Sequence, residues 1–138
     1  MTDPDNLFGQ EHVDTYRATD GETGHDWKGA RVLLLTTTGR KSGEPRTTPL
    51  IYREDDGRYV IVASKGGWDA PPVWYLNLKE EPTVEIQVKG NVMTARARDA
   101  TAEEKPALWK LMTEEWPDYD DYQQRTDREI PVVILEPS

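Results

Sequence analysis

The residues able to do chemistry gather in three places. Arg40, Lys41 and Arg46 surround the hydroxyl of Ser42 and the backbone of Gly39 and Gly43. Guanidinium, ammonium, hydroxyl and flexible amides together suit an oxyanion such as phosphate. The 138-residue chain has a net charge of −9, yet residues 31–53 hold five Arg/Lys and one Glu, leaving −13 for the remainder. A concentrated cationic patch in an acidic protein suggests a local anion site rather than general polyanion affinity; on charge alone the ordinary explanation is a solvated hairpin tip. A second loop, Val62-Ala63-Ser64-Lys65-Gly66-Gly67, offers a lysine, a hydroxyl and two glycine amides just ahead of an aromatic segment with Trp74 and Tyr75. Singly these are a glycine turn and an amphipathic helix; jointly with the first loop they describe two loops gripping one anionic, partly aromatic ligand. Trp116, Tyr119 and Tyr122 follow at helical spacing, with Asp118, Asp120 and Asp121 drawing part of that surface into water. Core packing and a ligand wall both fit that third group.

Several chemistries are excluded. With no cysteine there is no disulfide, thiolate metal site or cysteine nucleophile. Two histidines, His12 and His25, are too few and too far apart for a histidine metal motif, and surface or packing roles suit them. No Gly-x-Gly-x-x-Gly follows a strand, the basic tip lacks the P-loop ending, and no Gly-x-Ser-x-Gly elbow exists. The acidic balance argues against nucleic acid as a partner. No apolar run approaches the roughly 20 residues of a membrane span. The opening MTDPDN lacks a basic-then-apolar signal, so a cytoplasmic protein is expected.

The elements that position these groups can be read in order. The length gives room for one domain with a modest core. Residues 1–21 read as a flexible or short-helical segment, with a weak helical signal over 10–19 carried by Val13 and Tyr16; residues 22–138 form the main domain. A loop over 20–28 leads to a strand beginning at Val32, the basic turn, and a second extended segment over 46–53. Asp55-Asp56-Gly57 predicts a hairpin into a buried strand over 59–63. Pro71-Pro72 opens a short helix over 73–79, which Pro82 closes. Residues 83–88 and 92–98 alternate cleanly, predicting a hairpin with one wet face. Thr101 and Glu104 form a capping box for a helix carrying Leu108, Met112 and Trp116, whose first turn Pro106 makes irregular. Pro117 ends or kinks it, helical turns follow over 118–127, and residues 130–135 give a last strand. About six strands, mostly antiparallel, with helices between them, predict an α+β chain whose sheet curls into a small barrel.

The segments LLLTTTGRKSGEPRTTPL and VASKGGWDAPPVWYLNL, the Trp116–Tyr122 region and the terminal residues 130–137 together resemble the deazaflavin-dependent nitroreductase family, typical of actinobacteria, over about residues 22–137. The resemblance implies a flavin-reductase-like split β-barrel that transfers a hydride from reduced coenzyme F-420, an 8-hydroxy-5-deazaflavin, to an acceptor. By motif, Arg40, Lys41 and Ser42 meet the coenzyme's phosphate and glutamate-tail oxygens, and Arg46, Thr47, Thr48, Pro49, Leu50 and Ile51 continue the wall. Val62, Ala63, Ser64 and Lys65 match the second coenzyme loop, with Lys65 at the phosphate and Ser64 nearer the ring. Val73, Trp74, Tyr75, Leu76 and Asn77 match the short helix beside the coenzyme. Tyr119 and Tyr122 match aromatics that close over the substrate, Tyr119 also reaching the coenzyme; Ser64, Tyr119 and Tyr122 are the catalytic candidates, as hydrogen-bond donors.

Members that reduce nitroimidazoles can carry tyrosine where this chain has Trp116, and an indole supplies no phenol proton. The expected acceptor is therefore a quinone, ahead of a nitro compound. Its lipophilicity admits peripheral membrane contact, with no anchor in the sequence; the oligomeric state stays open. Two alternatives share this scaffold. One is a non-catalytic deazaflavin or lipophilic-ligand binding module; the other is an FMN-dependent split-barrel reductase. No metal is expected.

Overall fold

In the computed structural model, which describes residues 9–64 and 70–137, residues 32–35 lie in β2 (Ala30–Thr38) with every side chain buried. Leu33 and Leu35 join the barrel interior with Ile61, Ile86, Val133 and Leu135. Val32 and Leu34 pack outward against Val13 and Tyr16 of α1 (Gly9–Ala18). Two buried faces explain why no polar alternation interrupts this run. Each fully buried Leu or Ile contributes about 1.5–3 kcal/mol of transfer free energy. The Tyr16 hydroxyl accepts from Lys89 N–H (2.7 Å) and donates to the Gln87 carbonyl (3.3 Å), which pins α1 to the sheet.

The described residues form eight strands rather than about six. β1 (Asp26–Trp27), β2, β6 (Thr83–Val88), β7 (Asn91–Asp99), β8 (Val132–Pro137), β5 (Arg58–Val62) and β4 (Arg53–Asp55) are neighbours in that order, and β3 (Pro45–Ile51) pairs with β2. All pairings are antiparallel. β1 lies inside the expected loop over 20–28, too short to carry a pattern. The extended segment over 46–53 divides because Tyr52 still bonds to Arg31 of β2, whereas Arg53 pairs with Val60 of β5. The Asp56-Gly57 turn has both residues at positive φ (53° and 80°), as a two-residue hairpin requires. Buried Val84, Ile86, Ala95 and Ala97 alternate with exposed neighbours, so the β6–β7 hairpin has its one wet face.

The barrel stays open along one seam, and β3 explains why. The Tyr52 N–H donates to Arg31 O (3.0 Å) and the Gly39 N–H to Glu44 O (2.8 Å). Both pairs belong to the same register as Leu34↔Pro49 and Thr38↔Pro45. Bonded and non-bonded pairs alternate along an antiparallel ladder, so Pro45 and Pro49 occupy non-bonded pairs, their nitrogens turned away from β2. A closing strand would need N–H donors there, and proline has none. β3 therefore remains an edge and the barrel is split.

Helices pack on both the outer faces and the barrel interior. α2 (Val73–Glu80) follows Pro72 and plugs Trp74 and Leu78 into the core. α3 (Lys105–Glu115) and α4 (Asp118–Gln124) pack Leu108, Met112 and Tyr119 on Val60, Val62, Val132 and Ile134. The capping box forms: Glu104 N–H donates to Thr101 Oγ1 (3.2 Å) and Thr101 N–H to the Glu104 carboxylate (2.9 Å). Residues 101–104 are turns rather than helix, consistent with Pro106 at the start. Pro117 ends α3, so Trp116 sits past the helix instead of continuing the Leu108–Met112 stripe. Of the flexible or short-helical segment expected over residues 1–21, residues 1–8 lie outside the described residues.

Both histidines are buried and bonded. His25 Nδ1 faces the Asp26 carboxylate (3.0 Å) and must donate, so in the neutral ring Nε2 accepts from the Tyr52 hydroxyl (2.8 Å). Burial pushes the imidazole below its ordinary value against the opposing pull of Asp26. A native-state value below the unfolded one means that the unfolded chain takes up the proton first. Stability should therefore fall as pH drops below about 6.5, and His25→Gln should flatten that dependence. Thermal melts from about pH 8 to about pH 5 check this; identical slopes in both proteins would remove His25 from the account.

Candidate active site

The turn between β2 and β3 is held by its own backbone. Gly43 N–H donates to Gly39 O (2.8 Å), and Glu44 N–H donates to Ser42 Oγ (3.1 Å). A side chain at Gly39 would place its Cβ 2.6 Å from Ser42 Oγ and 3.1 Å from the Glu44 carbonyl oxygen, so the Ser42 hydroxyl and the turn would have to shift. Asn77, buried on α2, clamps this turn: its Oδ1 accepts from Arg40 N–H (3.1 Å) and its Nδ2 donates to Thr37 Oγ1 (3.2 Å). Arg17 of α1 donates to Thr47 Oγ1 (3.0 Å), which also meets the Thr36 hydroxyl (2.8 Å). The result is a cavity of about 670 Å³ lined by Arg40, Lys41, Ser42, Arg46, Thr47, Thr48, Val73, Trp74 and Asn77.

A second cavity of about 400 Å³ occupies the barrel's open seam. β3 contributes Thr48, Pro49, Leu50 and Ile51; the end of β5 contributes Val62 and Ser64; α2 contributes Trp74. Trp116, Tyr119 and Tyr122 form its far wall, joined by His12 and Trp27. The walls are mostly apolar carbon with a few polar groups, the usual character of a small-molecule site. Thr48 and Trp74 border both cavities, so the cationic space and the aromatic one are neighbours that share these two residues.

Long-range contacts fix the aromatic wall. The Glu115 carboxylate accepts from the Arg31 backbone N–H and guanidinium, both at 2.6 Å, and from Arg53 at 3.4 Å. That locks the end of α3 to β2 and sets Trp116 against Trp27, ring centres 5.8 Å apart and stacked. Trp116 Nε1 donates to the Tyr122 hydroxyl (3.2 Å), and Tyr122 meets Tyr119 edge-on at 6.0 Å. Burial, with Tyr122 and Glu115 adding, holds the Tyr119 phenol well above its ordinary value, so it remains a donor. Arg128 donates to the carbonyls of Ala63 (3.1 Å) and Ser64 (2.8 Å), fixing the strand end that presents Ser64.

Not every expected site residue is brought in. Ala63 is wholly buried in the barrel core. Tyr75 turns the other way: its hydroxyl donates to the Asp99 carboxylate (3.0 Å), and burial first, that carboxylate second, push its phenol up to about 12. Leu76 is half-buried and borders neither cavity. Each departure reflects helix or strand alternation, which turns neighbours of a lining residue away from it. Lys65, with the turn at Gly66 and Gly67, lies outside the described residues. The sequence reading missed His12 and Trp27. His12 sits on the weakly signalled α1, donating from Nε2 to Gly24 O (2.7 Å) and leaving Nδ1 as an acceptor. No group of three or more His, Cys, Asp or Glu suited to a metal occurs among the described residues.

The sequence model of the F420H(2)-dependent quinone reductase family matches residues 8–137. The chain belongs to that family. An F420H(2)-dependent quinone reductase of Mycobacterium tuberculosis is 46% identical over 128 residues, covering 90% of this chain and 86% of the relative. A solved F420-H2 dependent reductase, FDR-A, is 47% identical with a TM-score of 0.71, covering 76% of this chain and 93% of that one. Another solved chain, a domain-swapped dimer, is 43% identical with a TM-score of 0.74, covering 90% and 95%. The expected family, its cofactor class and its split barrel therefore stand. No helix among the described residues is long and apolar enough to cross a membrane.

The residues fit the family's coenzyme. Three cations and a hydroxyl line the cavity that adjoins the aromatic seam, matching a flat ring with an anionic tail. Because Asn77 is buried and holds the basic turn through one buried and one part-buried hydrogen bond, Asn77→Ala should cost about 1–3 kcal/mol of stability. Denaturant unfolding checks this; a loss under about 0.5 kcal/mol would show that the turn holds itself.

Proposed function

We propose that this protein oxidises reduced coenzyme F-420 and delivers the hydride to a quinone-like acceptor held in the seam. The observation carrying this reading is that the cationic cavity adjoins the aromatic one, the two sharing Thr48 and Trp74. When bound, the deazaflavin supplies the hydride; a quinone becomes its hydroquinone by gaining that hydride and a proton.

The chain's own residues do the rest. Arg40, Lys41, Arg46 and Ser42 hold the anionic tail, and by motif Lys65 joins them. The strand residues from Thr48 to Ile51, Val62 and Trp74 present an apolar wall that orients a flat ring and keeps water out. Ser64, Tyr119 and Tyr122 aim hydroxyl donors at the acceptor oxygen that gains charge, the kind of preorganised dipole that lowers such a barrier. None of them needs to be a strong acid, which agrees with a Tyr119 phenol that burial keeps protonated.

Mixing the protein with reduced coenzyme F-420 and menadione should return the oxidised chromophore. A charged hydrogen bond is worth about 1.5–3 kcal/mol, so Arg40→Ala or Arg46→Ala should weaken coenzyme binding roughly 10- to 100-fold. Tyr119→Phe should instead lower kcat while leaving coenzyme affinity near that of wild type. A chromophore that stays reduced across a quinone panel would leave a binding module in place of an enzyme. Wild-type coenzyme affinity in both arginine variants would move the tail elsewhere.

A further inference from the structure

We infer that Trp116 is a positioning residue that turns the Tyr122 hydroxyl into a hydrogen-bond donor aimed at the acceptor. This rests on the seam being the acceptor site. An indole N–H donates and cannot accept. At 3.2 Å from Trp116 Nε1, the Tyr122 oxygen must therefore use a lone pair on the indole. Its own hydrogen then has no acceptor among the described residues, although Tyr122 lines the seam cavity. A hydroxyl that already accepts a hydrogen bond is polarised into a better donor. The Arg125 guanidinium, 5.6 Å from the centre of the Tyr122 ring, pulls electron density the same way.

Trp116 can do this because its ring is held on more than one side. Its ring is stacked on Trp27 (5.8 Å, 24°), with Lys28 Nζ 4.7 Å from the Trp27 ring centre, and the preceding carboxylate of Glu115 is bound to Arg31. The indole thus contributes through Tyr122 what it cannot supply itself. A carbonyl oxygen in the seam would receive the Tyr122 hydrogen, so the arrangement favours carbonyl-bearing planar acceptors over those offering only hydrogen-bond donors.

A double-mutant cycle tests the inference with reduced coenzyme F-420 and menadione. Tyr122→Phe should lower kcat by about 10-fold or more. Trp116→Phe keeps an aromatic ring against Trp27 but loses the N–H; it should lower kcat roughly 2- to 10-fold with coenzyme affinity unchanged. In the Tyr122→Phe background Trp116→Phe should have no further effect on kcat, since its partner is already gone. Additive effects in an active enzyme would reduce Trp116 to packing and overturn this inference alone. A wild type that oxidises no reduced coenzyme would remove the reading beneath it as well. Hydrogen exchange in ¹⁵N-labelled protein gives a readout free of turnover. The Trp116 indole N–H should exchange slowly in wild type and faster in Tyr122→Phe; equal rates would also overturn the bond.

Discussion

β2 must bury both of its faces, and most of the molecule answers that demand. Leu33 and Leu35 need a barrel interior; Val32 and Leu34 need something outside it, which α1 supplies. The same strand gives one edge to β6 and the other to β3. The basic turn is the place where this spine reverses, so it is anchored at the root even though its tip is exposed. That is a sound way to present cations to a ligand: the backbone is fixed by packing, and only the side chains remain to be ordered on binding.

The site then follows from an edge that cannot be paired. Pro45 and Pro49 turn their nitrogens toward the seam, where ladder donors would be needed. The gap left by this missing strand pairing is lined by aromatic side chains from the α3–α4 junction, α4 and β1. An apolar crevice with a few donors is a different solvent from the cationic cavity beside it. Charges near the surface act through a medium close to water and are screened over roughly 10 Å. Hydroxyl dipoles in the seam act with little water between them and the reacting oxygen. On the proposed function, binding strength and reactivity fall to neighbouring cavities rather than to a single one.

Much of this was legible in the chain because it is local. The Asp-Gly hairpin, the alternation over 83–88 and 92–98, the capping box at Thr101 and Glu104, and the charge concentration over 31–53 each need only neighbours in sequence to be recognised. What was not legible depends on contacts between distant segments. Asn77 reads as one more residue of a short helix, yet it joins α2 to Thr37 and Arg40. Tyr75 beside Trp74 looks like a second ring for the ligand, yet helical geometry aims it at Asp99. His12 and Trp27 lie in segments with almost no periodicity. The signal for the open seam was present and unused: two prolines four apart in a strand, which mark an edge.

Trp116 shows why substitution at a site cannot be judged by the chemistry of one side chain. A tyrosine there brings a hydroxyl of its own, and losing it looks like losing a donor. In this chain the indole cannot hand a proton to the acceptor, but it can occupy the lone pair of a hydroxyl that can. The hydrogen offered to the seam is then that of Tyr122, and residue 116 offers none. The geometry of donation moves with it, by the distance between two side chains. A different acceptor shape should suit the new donor position, which makes an exchange at this residue a way to change specificity without dismantling the site.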